Sequence, residues 1–350
     1  MVELFAVQPR ITIDDYASLD SFAAKHRGLA ERVEALRERD ADGRPLHEAL
    51  VVWPEMVGAF LGLAGEVERV RGCVTGDAAM TRIALRRLPW LLATMARHRT
   101  VDSKRALFTM IAPVVHQGMF ATFSAIAREH GWWVVAGSAL LPRNALGEDS
   151  AAFRAVPGPA GAEVFNTSFT FAPDGRCVRV TRKVNLVPTQ EDVLHLSAGS
   201  PADLGVVGTP FGNLGTAICY DGFDEAHTGG EPGFTPCGAV LDRLGADIVA
   251  QPSANAWAWD APWAFNEPGE ALLRREQWFA EGFAKHLAGL ERVRYVVNPQ
   301  LVGTVLDTTF EAPSLILERT SEGVAVLAEA ADYRAEEVIV ARVPAPIPAG

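Results

Sequence analysis

Apolar positions along the chain follow two different periods, and their order predicts a mixed α/β protein. Short apolar runs at 4–7 and 49–53 are typical of buried strands, whereas 14–39 between them carries apolar residues at helical spacing. Strand, helix, strand is the opening of a layered α/β fold. The same reasoning predicts a helix over 276–291 and further strands over 131–138, 246–255, 295–298, 314–317 and 337–343.

A long helical block interrupts the strands. Residues 58–130 have apolar positions at spacings of three and four, and Pro89 is expected to end or kink one of about three helices. No internal repeat is visible, and 350 residues are enough to bury one large core. We therefore predict a single domain over 1–350 with a helical insertion at about 58–130.

Two hairpins are predicted in the middle of the chain, and each leads to a chemically reactive side chain. The sequence PDG at 173–175 joins strands 165–171 and 176–180, and GN at 212–213 joins strands 204–208 and 214–218. Lys183 follows the first hairpin and Cys219 follows the second, while Glu55 follows the earlier strand 49–53. Because α/β sheets carry their sites at strand ends, these three positions are candidates for one site.

Each candidate has an ordinary structural explanation when taken alone. A glutamate or lysine is most often solvated at the surface, and a cysteine is most often a small buried hydrophobe. A free thiol with a pKa of about 8.5 is a poor nucleophile at neutral pH, so a catalytic cysteine needs a base or a cation beside it. Glu55 and Lys183 would supply both, and we interpret the three as a thiol acyl-transfer site.

Composition excludes several other classes of protein. The net charge of −11 and pI near 5.3 argue against nucleic-acid binding, which needs a basic surface. The four cysteines have no metal-ligand spacing and are too few for a disulfide framework, so we expect no metal and no other cofactor. The start of the chain lacks a signal-peptide pattern, and His116 and Gln117 interrupt the most apolar window, 106–123. We therefore predict a cytoplasmic protein with no membrane partner.

Motifs at these strand ends resemble those of the nitrilase, or carbon-nitrogen hydrolase, superfamily. The matching stretches are LVVWPE around Glu55, NTSFTFAPDG and VTRKVNLVP around Lys183, LGTAICYDGFDE around Cys219, and then GADIVAQPSAN, RYVVNPQLVG and EEVIVARV. They cover essentially the whole chain in the family's order. The resemblance implies a four-layer α-β-β-α sandwich, a homodimer or larger homo-oligomer, and no cofactor.

The resemblance also implies a role for each residue of the site. Cys219 would be the nucleophile, Glu55 the general base, and Lys183 the cation that stabilises the oxyanion, with the backbone N–H of Tyr220 as a second donor. Glu191 matches a second glutamate that positions substrate and lysine. The implied reaction is hydrolysis of a small-molecule amide, carbamoyl compound or nitrile through a thioester, and the lysine is expected to favour the thiolate.

Departures from the family pattern leave the substrate open. The helical block and the loop 225–239 are longer than usual, and the arginine common a few residues after the nucleophile is absent from 222–225. Tyr220-Asp221 stands where nitrilases have tryptophan-glutamate, which favours an amide over a nitrile. Residues 66–105 include nine Lys or Arg residues and only four acids, which gives this segment a local positive charge. Arg86 and Arg87 are therefore candidates for binding a substrate carboxylate.

Other functions remain open at this point. An N-carbamoyl-amino-acid amidohydrolase or a nitrilase would use the same site, and an acyltransferase would pass the acyl group to another acceptor. A non-catalytic scaffold would retain the three residues in a closed site. A hydrolase that pairs Cys219 with His227 is a further alternative, although no histidine follows a strand as the other candidates do.

Overall fold

The computed structural model describes residues 1–231, 233–267 and 269–345. Pro232, in the loop predicted to be enlarged, and 346–350, at the end of the predicted domain, lie outside this part. Its strands are β1 (Val2–Gln8), β2 (Arg10–Ile11), β3 (Glu48–Trp53), β4 (Trp133–Ala136), β5 (Ala139–Pro142), β6 (Val164–Phe171), β7 (Cys177–Arg182), β8 (Val206–Thr209), β9 (Gly212–Thr216), β10 (Ile248–Ala250), β11 (Tyr295–Asn298), β12 (Val302–Val305), β13 (Thr308–Phe310), β14 (Leu315–Thr320), β15 (Gly323–Glu329) and β16 (Glu337–Val343).

The α-helices connect these strands and lie outside the sheets. They are α1 (Leu19–Leu36), α2 (Val67–Val70), α3 (Gly76–Arg86), α4 (Leu88–His98), α5 (Ser103–His130), α6 (Cys237–Arg243), α7 (Arg274–Glu281) and α8 (Phe283–His286). Short 3-10 turns add to them, including Ala59–Leu63 before α2 and Cys219–Gly222 after β9.

Two large sheets form the centre of the described chain. The first has seven strands in the order β16-β1-β3-β4-β6-β5, with β7 also paired to β6, and the second has six in the order β15-β14-β11-β10-β9-β8. Within them β1, β3 and β4 run parallel, as do β9, β10 and β11. A small three-stranded sheet, β13-β12-β2, lies apart. Both predicted hairpins, β6–β7 and β8–β9, are confirmed as antiparallel pairs.

Buried apolar side chains point alternately to the two faces of each sheet, and this alternation produces a four-layer arrangement. Leu50 and Val52 on β3 pack against Ile248 and Val297 of the second sheet, in the core between the sheets. The intervening Val51 faces the other way, into a core shared with α1 and α5, and a third core joins the second sheet to α6 and α8. Because successive strand residues point to opposite faces, each sheet is buried on both sides. The predicted α-β-β-α sandwich is confirmed.

The helical block connects two parallel neighbours. Since β3 and β4 lie side by side in the same direction, the chain between them has to cross over the sheet, and α5 packs on β4, β5 and β6 along that path. The boundary predicted at Pro89 is confirmed, because α3 ends at Arg86 and Pro89 lies in the first turn of α4. Among the described helices, α5 alone has the length and composition to cross a membrane, and 67% of its most apolar window is buried inside the protein.

The helix predicted over 276–291 is wrong in extent. Helix α7 ends at Glu281, the extended Gly282 follows, and α8 ends at His286. The backbone of Gly282 forms a bridge with Phe223, just after the Cys219 turn, and a Cβ at this position would lie 2.7 Å from the carbonyl oxygen of Trp278. Pairing with the Cys219 loop therefore overrides helix propensity here.

Candidate active site

Glu55 is buried at the end of β3, and its carboxylate accepts three hydrogen bonds. Its Oε1 lies 2.8 Å from Nζ of Lys183 and 2.8 Å from Nδ2 of Asn166, and its Oε2 lies 3.1 Å from the backbone nitrogen of Ala254. Met56, the next residue, has a φ of 61°. Such a conformation is uncommon outside glycine and turns the chain sharply away from the strand. The carboxylate is thereby held at the strand end by groups from three other segments.

Lys183 lies between two carboxylates with only 1% of its surface exposed. It follows β7, and its Nζ is 2.8 Å from Glu55 Oε1 and 2.6 Å from Glu191 Oε2. Glu191 is also held by the backbone N–H of Val187 at 2.9 Å and by Asn166 Nδ2 at 2.9 Å. The structure therefore brings together three of the predicted residues, separated by up to 136 positions in the chain, and Asn166 donates to both glutamates.

Burial and charge act in opposite directions on this cluster. Burial raises the pKa of Glu55 above its usual value; Lys183 lowers it, and Glu191 raises it further. Burial alone would lower the pKa of Lys183, but Glu191 and Glu55 raise it well above its usual value, so the ammonium is retained. A buried ion pair is weak evidence of stabilisation because desolvation offsets the attraction. This arrangement is better explained by a role in a reaction than by a contribution to the stability of the fold.

Cys219 stands in a strained turn three residues beyond the end of β9. Its φ is 48°, in the left-handed region, and its backbone nitrogen donates to the carbonyl of Pro252 at 2.8 Å. The side-chain amide of Gln251 donates to the carbonyl of Cys219 at 3.0 Å. Strain in a buried non-glycine residue costs of order 1–3 kcal/mol and persists where its surroundings fix it, often at functional sites.

The thiol of Cys219 is protonated at neutral pH. Burial raises its pKa to about 12 and Glu55 acts in the same direction, while Lys183 and the backbone N–H of Ala254 lower it. The Cys219 thiol in turn lowers the pKa of Glu55. Lys183 thus has the expected direction of effect, but burial outweighs it and no thiolate is preformed. A proton acceptor is needed at the moment of attack.

The backbone N–H of Tyr220, the other predicted group, belongs to the same 3-10 turn and has no acceptor among the described residues. The Tyr220 hydroxyl donates to Glu231 at 2.7 Å, and His227 stacks on the ring with a centroid distance of 3.9 Å. The Nδ1 of His227 is 3.4 Å from Glu281, and within the described chain no hydrogen bond joins this histidine to Cys219. The geometry gives no support to a Cys/His pair.

Two buried polar residues were missed by sequence reasoning. Asn166 lies on β6 within a run of buried residues and joins the two glutamates. Asp221 accepts hydrogen bonds from the backbone nitrogens of Val184, Asn185 and Ile218 at 3.1, 2.7 and 3.3 Å. The signal in the sequence was a polar side chain at an inward position of an apolar strand for Asn166, and an acid directly after the cysteine turn for Asp221.

A cavity of about 390 Å³ adjoins these groups. Glu55, Lys183, Glu191 and Ala254 line part of it, whereas Cys219 is not among the lining residues. Within the described residues no group of three His, Cys, Asp or Glu side chains has metal-binding geometry. The arrangement can bind a small molecule, accept a proton from the thiol and stabilise negative charge beside Lys183.

Residues 21–226 match the carbon-nitrogen hydrolase family model. No curated protein sequence matches the chain significantly. A carbon-nitrogen hydrolase from Helicobacter pylori G27 is similar in structure, with a TM-score of 0.56, 16% identity, and coverage of 97% of this chain and 88% of that one. A glutamate-to-glutamine variant of the amidase from Nesterenkonia sp. AN1, with acrylamide added at its active-site cysteine, has a TM-score of 0.52, 14% identity, and coverage of 98% and 93%.

Proposed function

The chain belongs to the carbon-nitrogen hydrolase family, and from that premise we propose that it hydrolyses a small-molecule amide through a thioester on Cys219. The observation that carries the proposal is the buried ion pair of the Glu55 carboxylate with Lys183, together with the neighbouring Cys219 thiol, which lowers the pKa of Glu55. A base, a cation and a nucleophile thereby share one site beside a cavity. This is the set of groups that thiol-based acyl transfer needs.

The first half of the reaction forms the thioester. Glu55 accepts the thiol proton as the sulfur of Cys219 attacks the amide carbon, because a thiol with a pKa of about 12 cannot ionise alone at neutral pH. The carbonyl electrons move to oxygen, where the Lys183 ammonium and the Tyr220 N–H stabilise the negative charge. The carbon–nitrogen bond then breaks, Glu55 returns the proton to nitrogen, and the amine or ammonia leaves.

The second half releases the acid and restores the thiol. Glu55, again ionised, accepts a proton from a water molecule that attacks the thioester carbon. The tetrahedral intermediate collapses, the carbon–sulfur bond breaks, and the sulfur recovers the proton from Glu55. Glu191 acts as a positioning residue in this scheme, because it fixes Lys183 from the side opposite Glu55.

Among substrates, an amide is preferred over a nitrile because Tyr220-Asp221 replaces the tryptophan-glutamate of nitrilases. N-carbamoyl amino acids and transfer to a non-water acceptor use the same intermediate and remain alternatives. A non-catalytic scaffold with an inactive site is the last alternative. We also propose a cytoplasmic homodimer or larger homo-oligomer without a cofactor.

Ammonia release from simple amides, N-carbamoyl amino acids and nitriles tests the proposal. We expect release from the amides by the wild type and a loss of at least about 10³-fold in Cys219→Ala, since the nucleophile is removed. Cys177→Ala is the matched control, because Cys177 is also buried and free but lies at the start of β7. It should keep wild-type activity.

Intact-mass measurement of the protein during turnover completes the experiment. An acyl adduct on the wild type that is absent from Cys219→Ala supports the thioester. Turnover that survives in Cys219→Ala, or an adduct on another residue, would contradict the assignment. Absence of both release and adduct would favour the scaffold.

A further inference from the structure

The cavity beside the candidate site is apolar over most of its wall. Helix α3 contributes Ala79, Met80 and Ile83, and α5 contributes Leu107, Phe108 and Ile111. Further lining residues lie within 56–63, 193–194 and 306–310. The charged residues in the lining are Glu55, Lys183 and Glu191 of the candidate site, and Asp77 and Asp307.

An apolar cavity of this size is large enough to bind a small molecule. Protein interiors are close-packed, and voids larger than a water molecule are few. An apolar cavity of about 150 Å³ takes up benzene and stays free of water otherwise. The cavity here, at about 390 Å³, has room for a considerably larger hydrocarbon group.

The solvent-facing part of the cavity carries acids. Asp77 and Asp307 are both exposed; Asp307 accepts a hydrogen bond from the backbone nitrogen of Gly76 at 2.8 Å, and Asp77 lies 3.2 Å from Lys104. The two arginines predicted from the sequence to bind a substrate carboxylate form ion pairs outside the cavity. Arg86 and Arg87 lie 3.5 and 2.8 Å from the buried Glu66, and neither lines the cavity.

We propose that the cavity formed by α3 and α5 binds the apolar acyl group of an uncharged amide, so that the preferred substrates are amides of medium-chain aliphatic or arylalkyl acids. This inference rests on the proposed function and specifies its substrate class. The amine has to leave before water attacks the thioester, whereas the acyl group stays attached to Cys219 through both steps. A large group that fills the cavity next to Glu55 and Lys183 is therefore assigned to the acyl side.

A series of straight-chain primary amides from acetamide to octanamide tests the length preference. Each methylene buried in an apolar site changes affinity about fourfold, so kcat/KM should rise steeply along the series until the cavity is full. Succinamate, which carries a carboxylate, should react at least tenfold more slowly than butyramide. N-octylacetamide should be a poorer substrate than octanamide.

Two neighbouring alanines on α3 provide a matched pair of variants. Ala79 is buried and lines the cavity, whereas Ala78 is exposed. Ala79→Leu fills the space and should reduce kcat/KM for octanamide at least tenfold more than kcat/KM for acetamide. Ala78→Leu should leave both substrates unchanged.

Calorimetric binding of octanamide to Cys219→Ala separates this inference from the proposed reaction. Measurable binding that weakens at least tenfold when Ala79→Leu is added supports the cavity assignment even without turnover. Hydrolysis of acetamide and octanamide at equal rates, both lost in Cys219→Ala, would overturn the inference and leave the proposed function intact. Preference for N-octylacetamide, or no octanamide binding, would also overturn it.

Discussion

At the scale of single residues, the feature that governs reactivity is the position of Lys183 between Glu55 and Glu191. The ammonium lowers the pKa of Glu55, whereas burial and the charge on Glu191 raise it, and the net direction is upward. Only the ionised form of Glu55 can accept the thiol proton. The second glutamate therefore influences the base as well as the lysine.

The dependence of kcat/KM on pH should reflect the raised pKa of Glu55. Because the active form of Glu55 is deprotonated and its pKa is raised above its usual 4.5, activity should fall as pH drops through that raised value, earlier than for an exposed glutamate. Lys183 has a pKa well above its usual 10.5 and should cause no loss on the alkaline side below about pH 10. The profile is measured with a small neutral amide.

Glu191→Gln is the informative comparison for this profile. Removing the charge on Glu191 removes one influence that raises the pKa of Glu55, so the acid limb should move to lower pH even though kcat itself falls. An acid limb that stays in place, or moves to higher pH, would show that Glu191 does not act on the base.

At the scale of elements, Asp221 joins the loops that follow β7 and β9. Its carboxylate accepts hydrogen bonds from the backbone N–H groups of Val184 and Asn185, which follow β7. It also accepts one from the backbone N–H of Ile218, just before the cysteine turn. Burial raises its pKa, to about 7, and the three N–H donors act in the opposite direction. Lys183 and Cys219 are thereby held relative to one another through their backbones.

Asp221→Ala should destabilise the fold and slow the reaction together. Three buried N–H groups would lose their acceptor, at about 1–3 kcal/mol each, so the free energy of unfolding should fall by about 3 kcal/mol or more. Urea denaturation measures this loss, and amide turnover should fall with it.

Two further variants sharpen that experiment. Asp221→Asn keeps one acceptor oxygen and should lie between the wild type and Asp221→Ala in both stability and rate. Asp224→Ala removes an exposed acid three residues away and should change neither. Full activity in Asp221→Ala would mean that the two loops hold their positions without this link.

The elements also show where sequence patterns are sufficient. The strands β11 and β16 were predicted to the residue, because short apolar runs with polar flanks have few alternatives. The strands β2, β5, β12, β13 and β15 were not predicted; β2 and β13 have only two and three residues, and β15 has no buried run to mark it. At the site, Glu55, Lys183 and Glu191 could be predicted to converge, but the bridging role of Asn166 depends on strand pairing across the sheet.

At the scale of the whole molecule, exposed apolar side chains gather on the helical block. Large ones at 74, 85, 88, 90, 92 and 101 lie in or beside α3 and α4, and Trp90 is 67% exposed. A concentration of this kind is typical of a protein–protein contact. In our proposals α3 lines the cavity, and the exposed side of α3 and α4 is a candidate for the subunit interface.

Sedimentation velocity tests the proposed homo-oligomer. The wild type should sediment as a dimer or larger, and Trp90→Glu should shift it toward the monomer because a charge cannot be buried unpaired at low cost. Leu46→Glu is the control, since Leu46 is an exposed apolar residue outside the helical block. A wild type that is monomeric at micromolar concentration would contradict the proposal.

The single ammonium held by two carboxylates has a consequence for the whole reaction cycle. In the proposed reaction Glu55 becomes neutral when it takes up the thiol proton, and the Lys183 ammonium is then paired with one carboxylate instead of two. The substrate oxyanion forms at the same moment and replaces the Glu55 carboxylate as the second negative charge beside Lys183. The overall charge of the interior is thus conserved: negative charge migrates from glutamate to substrate, and no additional ion is created in a medium that solvates ions poorly.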